Sequence, residues 1–224
     1  MPTSDLLPTV EIETGSDPDY AVIWLHGLGA DGNDFVPIIN ELEFSPKKGI
    51  RFIFPHAPMR PVTINAGYVM RAWYDISGAN ISSLEDEAGI RDAQKAIDAL
   101  IDHEIRRGIA SNNIVLAGFS QGGAIALQTG LRQENKLAGI MALSCYLPLS
   151  ASLASEAHVA NAAIPIFMAH GTFDAVVPIS LAITSRENLR QAKYAPEWHE
   201  YPMEHSVCMQ EISDLDRWLH RILS

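Results

Sequence analysis

The chain has 224 residues, 47% of them hydrophobic and 19% charged, long enough to bury a sizeable core in one α/β domain or two small ones. Its net charge of −11 and pI near 5.1 argue against nucleic-acid binding, because phosphate contacts need clustered Lys and Arg. The two locally basic stretches, residues 46–48 and 104–107, read as solvated surface, and no linker, repeat or low-complexity tract divides the chain, so one domain over 1–224 is expected.

The first residues, 1–8, have no basic region followed by an apolar stretch, so no secretory signal is expected. The longest apolar run, 137–149, is too short and interrupted to span a bilayer. Two cysteines, Cys145 and Cys208, make no disulfide framework, and a reduced cytoplasmic setting is the simplest expectation.

Residues 10–13 alternate apolar and acidic side chains, as an antiparallel edge strand does, and 14–19 form a turn. Residues 20–25 are a continuous apolar strand ending in the glycine-rich loop 26–32. Phe35, Ile38, Ile39 and Leu42 then stand at helical spacing and predict a helix. The loop has neither the Gly-x-Gly-x-x-Gly order nor the Gly-Lys-Ser/Thr of phosphate-binding loops. Residues 51–54 are a short buried strand. From there to about Ser83 no regular period holds, yet Ile64, Val69, Met70, Trp73 and Ile76 argue against disorder. This segment reads as a loop covering an active site, or as an inserted hairpin packed on the core. Ser82 and Ser83 precede an acidic first turn and predict the N-cap of a helix whose apolar face is Ile90, Ala93, Ile97, Leu100, Ile101 and Ile105.

Residues 113–117 form an apolar run that fits a buried strand, and a helical pattern starts at Ala124 and runs to about Gln133. Between them stands Gly118-Phe119-Ser120-Gln121-Gly122. A serine at such a strand-to-helix turn, with glycine two residues to either side, is a nucleophile elbow: larger flanking side chains would collide with the neighbouring strand and helix. Further strands follow at 139–144, 164–169 and 197–201. Leu181, Ile183 and Leu189 suit a helix, and a closing helix carries Val207, Ile212, Leu215, Trp218, Leu219 and Ile222. Strands alternating with helices predict a mostly parallel sheet with helices on both faces.

An elbow serine needs an acid and a histidine, in that chain order, each past the carboxyl end of a strand. Between Ser120 and the last strand the only aspartate is Asp174, just past a strand end. The glutamates there fall on helices, in a loop or inside a strand. Of the histidines after Asp174, His199 lies within a strand and His220 on the closing helix, whereas His205 follows the last strand directly. The expected catalytic residues are therefore Ser120, Asp174 and His205, with His170 bracing the aspartate loop and His26 structural. The backbone N–H groups of Leu28 and Gln121 are the expected oxyanion donors. No His/Cys/Asp cluster has zinc spacing, so neither metal nor cofactor is expected.

His26-Gly27-Leu28-Gly29, Pro55-His56-Ala57-Pro58 with Arg60-Pro61-Val62-Thr63, Trp73-Tyr74-Asp75, Gly118-Phe119-Ser120-Gln121-Gly122-Gly123, Leu143-Ser144-Cys145, His170-Gly171-Thr172 with Asp174, and His205-Ser206 together resemble the acyl-protein thioesterase and phospholipase/carboxylesterase family of α/β-hydrolases. The resemblance runs from about Ala21 past His205. It implies the α/β-hydrolase fold with a loop-built lid and no large cap domain, and a serine hydrolase acting on acyl esters and thioesters. It supports the same triad and oxyanion pair. The chain departs from the family at Glu204, where many members have glycine, and at Tyr74 and Tyr146, which bear on pocket shape. Expected substrates are a small acyl ester, a lysophospholipid or an S-acylated protein, with Ile64, Trp73, Leu147 and Val176 as candidate lining of the acyl pocket. A thiol hydrolase using Cys145 or Cys208, a peptidase, a non-catalytic binding module on the same fold, and a homodimer formed through the covering loop are the alternatives.

Overall fold

The computed structural model describes residues 6–43, 49–78 and 85–223. Seven strands form one sheet: Thr9–Glu13 (β1), Tyr20–Leu25 (β2), Ile50–Pro55 (β3), Ile114–Phe119 (β6), Gly139–Leu143 (β7), Ile166–Gly171 (β8) and Glu197–Tyr201 (β9). Two short strands, Met59–Val62 (β4) and Tyr68–Arg71 (β5), form a separate hairpin. The helices are Glu87–Arg106 (α1), Gln121–Arg132 (α2), Leu153–Glu156 (α3), Ile179–Gln191 (α4) and Met209–Ile222 (α5).

The sheet order is β1-β3-β2-β6-β7-β8-β9, parallel throughout except for β1, which pairs antiparallel with β3 at one edge. The central strands are apolar on both faces because both faces are covered. The period of two sorts their side chains. Ala21, Ile23, Leu25, Leu116, Ile140 and Met168 pack with α1, α2 and Leu189 of α4 on one side. Val22, Trp24, Phe52, Val115, Met141 and Phe167 pack on the other side with Leu215, Trp218 and Leu219 of α5. β2 and β6 are neighbours, with Leu25 opposite Gly118, so the loop after β2 and the elbow after β6 leave the sheet side by side.

Three expectations change. The helix after the β2 loop is only a 3-10 turn, Val36–Glu41. At six residues the stretch is too short to repay helix nucleation. The N-cap of α1 is Asp86, whose carboxylate accepts the Gly89 N–H at 2.9 Å; Ser82 and Ser83 lie outside the described residues. The segment after Pro58 is an inserted hairpin, with Met59 opposite Arg71 and Val62 opposite Tyr68. Among the described residues no helix is long and apolar enough to cross a membrane.

Candidate active site

At the carboxyl end of β6 the chain turns into α2 through Ser120, held at φ 55° and ψ −122°, a conformation non-glycine residues rarely adopt. Its N–H donates to the Leu143 carbonyl at 2.8 Å, so the strain is sustained from β7. A Cβ at Gly122 would lie 2.3 Å from the Leu25 carbonyl oxygen, which is why only glycine lets α2 start this close to β2. The Ser120 hydroxyl stands at the N-terminus of α2, where the backbone N–H groups lack intrahelical partners and favour developing negative charge.

Two further loops meet beside it. After β8, Asp174 closes a tight turn, its Oδ1 accepting the N–H groups of Val176 at 2.9 Å and Val177 at 2.8 Å. After β9, the chain is zipped to that turn: Thr172 N–H donates to the Tyr201 carbonyl and Phe173 N–H to the Met203 carbonyl, at 2.9 and 3.0 Å. Gly171 lets them close, since a Cβ there would lie 2.4 Å from the Met203 and Glu204 carbonyl oxygens. This zipper brings His205 Nδ1 to 2.7 Å from Asp174 Oδ2, and the imidazole packs on the Phe119 ring with centroids 4.7 Å apart. His205 Nε2 and the Ser120 hydroxyl make no hydrogen bond with another described residue. His170 is buried, which lowers its pKa and keeps it neutral. Its Nε2–H donates to the Val177 carbonyl at 2.8 Å, with Asp174 Oδ2 at 3.3 Å, so it braces the aspartate turn.

The loop after β2 is tied down from several directions. His26, also neutral because burial lowers its pKa, accepts the Ala57 N–H at Nε2 (3.0 Å) and donates from Nδ1 to its neighbour's carbonyl, Gly27 O, at 2.7 Å. Gly29 N–H donates to Arg71 O, and Gly32 N–H to His56 Nδ1. Gly27 lies against the elbow: a Cβ there would be 3.5 Å from Ser120 Cβ. The Leu28 and Gln121 N–H groups have no protein acceptor among the described residues.

The polar contacts of four side chains were missed by sequence reasoning. The Gln121 side chain, buried, accepts the Trp73 N–H at Oε1 and donates from Nε2 to the Tyr74 carbonyl, both at 2.8 Å. The Trp73 indole N–H donates to His26 O at 2.9 Å. The hydroxyls of Tyr74 and Tyr146, both buried, pair at 2.7 Å. The sequence held no periodic signal for any of these long-range pairs.

The four candidate acyl-pocket residues are not brought together on one surface. Ile64 and Val176 are 45% and 61% exposed, whereas Leu147 and Trp73 are in the core at 5% and 1%. Trp73 is thus a core residue, its buried indole N–H satisfied by His26 O. The hairpin exposes Met59, Tyr68 and Val69, of which Met59 and Val69 share one face. Of the two thiols, Cys145 is fully buried and its pKa is pushed well above the ordinary value, whereas Cys208 is half-buried at the start of α5. Among the described residues no group of three or more His, Cys, Asp or Glu could hold a metal ion.

A mostly parallel sheet flanked by helices, with a strained serine elbow and loops carrying an aspartate and a histidine at the same end, defines an α/β-hydrolase fold. Residues 8–223 match the phospholipase/carboxylesterase family, and the chain belongs to it. It is 37% identical to acyl-protein thioesterase 1 of Yarrowia lipolytica over 95% of this chain and 96% of that one. It is 38% identical to acyl-protein thioesterase 1 of Cryptococcus neoformans over the full length of both. Among solved structures it is similar to Arabidopsis thaliana SOBER1, with a TM-score of 0.87 and 33% identity over 92% of this chain and 99% of that one. The chain is an enzyme, a serine hydrolase of the carboxylesterase type.

Proposed function

We propose that Ser120 is the nucleophile, His205 the general base and Asp174 its orienting acid, in one domain that cleaves acyl esters and thioesters through an acyl-enzyme. The observation that carries this reading is the 2.7 Å contact between His205 Nδ1 and Asp174 Oδ2 beside a strained elbow serine. The Ser120–His205 hydrogen bond closes when substrate binds. His205 then takes the hydroxyl proton through Nε2 as the serine oxygen attacks the acyl carbonyl. Asp174 holds Nδ1–H and stabilises the imidazolium. The negative charge that forms on the carbonyl oxygen is met by the Leu28 and Gln121 N–H groups, the latter at the N-terminus of α2. The imidazolium protonates the leaving alcohol or thiol. A water deprotonated by His205 then attacks the acyl-enzyme and releases the acid.

The substrate class is long acyl groups in ester or thioester linkage, foremost S-acylated protein, as the names of the two fungal relatives support. The exposed apolar side chains Met59, Ile64, Tyr68 and Val69 of the hairpin segment suit such a group. Two free cysteines support a reducing, cytoplasmic setting for this activity. A fluorophosphonate probe should label the wild type and not Ser120→Ala. A series of aryl esters, acyl thioesters, lysophospholipid and an S-acylated peptide should give the highest kcat/KM for thioesters. Labelling that persists in Ser120→Ala overturns the nucleophile, and a strong preference for lysophospholipid overturns the substrate.

A further inference from the structure

We propose that Trp73 and the Gln121 side chain form a positioning bridge that sets the two oxyanion donors, Leu28 N–H and Gln121 N–H, relative to each other. The inference rests on the donor assignment above and concerns how that site is held.

The two donors come from different loops. β2 and β6 are in register as far as Leu25 and Gly118, but Leu28 lies three residues beyond the last paired position, flanked by Gly27 and Gly29, which have no side chains to pack. Sheet pairing therefore does not place Leu28 against α2. The bridge does so on one side of Leu28, with the Gly29 N–H to Arg71 O bond holding the other. Gln121 offers its backbone N–H to the site while its side-chain amide turns away and pairs with the main chain at Trp73 and Tyr74, donor to acceptor and acceptor to donor, both at 2.8 Å. This two-point pairing resembles one rung of a strand ladder and leaves little rotational freedom. From the same residue, the Trp73 indole N–H reaches back to His26 O at 2.9 Å, two residues before Leu28. The imidazole of His26 is meanwhile pinned by Ala57 N–H at 3.0 Å. All of these groups are buried, so water cannot replace a lost bond. One donor thus carries, on its own side chain, the tie that locates the other.

A bridge of this kind acts on the oxyanion and not on the ground-state acyl chain, which separates it from ordinary core packing. Trp73→Phe keeps the ring and the main-chain bonds but removes the indole donor to His26 O. Gln121→Met keeps the length of the side chain but removes both of its bonds. In each variant kcat on an aryl ester should fall about 10- to 100-fold, less than the 10²–10³ typical for outright loss of an oxyanion donor. KM should stay within about twofold. Affinity for a trifluoromethyl ketone, whose adduct with the serine carries the oxyanion, should weaken by the same factor as kcat. Affinity for the matching alkyl ether, which has no carbonyl oxygen, should not change. A variant that keeps kcat within twofold, or whose KM rises while trifluoromethyl ketone affinity holds, overturns the bridge. Fluorophosphonate labelling of each variant separates the two layers of the argument. A labelled variant with no selective loss sinks the bridge alone, whereas a wild type that is not labelled at Ser120 sinks the donor assignment and the bridge with it. If Trp73→Phe fails to fold, Gln121→Met decides by the same measurements.

Discussion

Asp174 serves His205 with only one of its oxygens: Oδ2 stands 2.7 Å from Nδ1, while Oδ1 is committed to the Val176 and Val177 N–H groups. An asparagine cannot reproduce this division without harm. Its carbonyl oxygen must stay with the two N–H groups, so its NH₂ faces His205 Nδ1 and forces the proton onto Nε2. That tautomer cannot accept the serine proton. Asp174→Asn should therefore fold with nearly unchanged Tm and lose about 10⁴-fold in kcat, the scale measured for the equivalent change in another serine hydrolase. Steady-state kinetics beside a thermal melt checks it; a loss under tenfold would refute the role.

The strain at Ser120 predicts a trade between stability and activity. Glycine reaches φ 55° and ψ −122° at little steric cost, so Ser120→Gly relieves about 1–3 kcal/mol of backbone strain. It gives back about 0.5–1 kcal/mol through the freer unfolded chain. The inactive Ser120→Gly should be more stable than wild type by about 1 kcal/mol in urea unfolding, and more stable than Ser120→Ala. A destabilised glycine variant would mean that the elbow is not strained.

The Tyr74–Tyr146 hydroxyl pair, 2.7 Å apart in the core, is suited to a double-mutant cycle. Burial raises the pKa of both phenols above the ordinary value, so both stay un-ionised. Either single change to phenylalanine strands a buried hydroxyl and should cost about 1–3 kcal/mol. The double change strands neither. It should be no less stable than the worse single variant, giving a coupling energy of about 1 kcal/mol or more. Additive losses would show that each hydroxyl has another partner.

Two carboxyl groups set opposite limbs of the stability profile. Arg91, then Arg132 and Ser152, hold the Glu156 carboxylate down at about 2, below its ordinary 4.5. Its contribution is present above pH 4.5 and is lost as pH falls through about 2. Glu211 is fully buried in α5, and burial lifts it from 4.5 to about 8. Its contribution is present below pH 4.5 and is lost as pH rises through about 8, with a slope of up to about 1.4 kcal/mol per pH unit. Asp98, raised by burial from 3.8 to about 6, adds to the same downward slope over a narrower window. Urea unfolding from pH 3 to 8 should show Glu211→Gln flattening the profile above pH 4.5 and Glu156→Gln flattening it below. Parallel curves for wild type and Glu211→Gln would contradict this.

How legible each part was depended on whether its signal was local. β2 and β9 have the bounds their composition announces, because turns close them on both sides. The hairpin is one of two readings left open by the sequence, because its strands have four residues each and one holds Pro61, too little for a period of two to decide. The helix expected around Ile38 is a six-residue 3-10 turn, because apolar spacing alone does not say whether a stretch is long enough to nucleate an α-helix. Chain order singled out Asp174 and His205, and the fold brings them within hydrogen-bonding distance. The partners of Gln121, Trp73 and Tyr146 were not legible, since each is chosen by the sheet order and not by neighbours in sequence.

That sheet order has a consequence for biosynthesis. β6, β7, β8 and β9 stand in the sheet in the order in which they leave the ribosome, each added to the edge exposed by the one before. Growth of this half is vectorial and asks for no waiting partner, which shortens the time that an unpaired strand edge is open to misassembly. Ser120 is made well before β9 and His205, so the pairing of His205 with Asp174 is completed together with the last strand of the sheet.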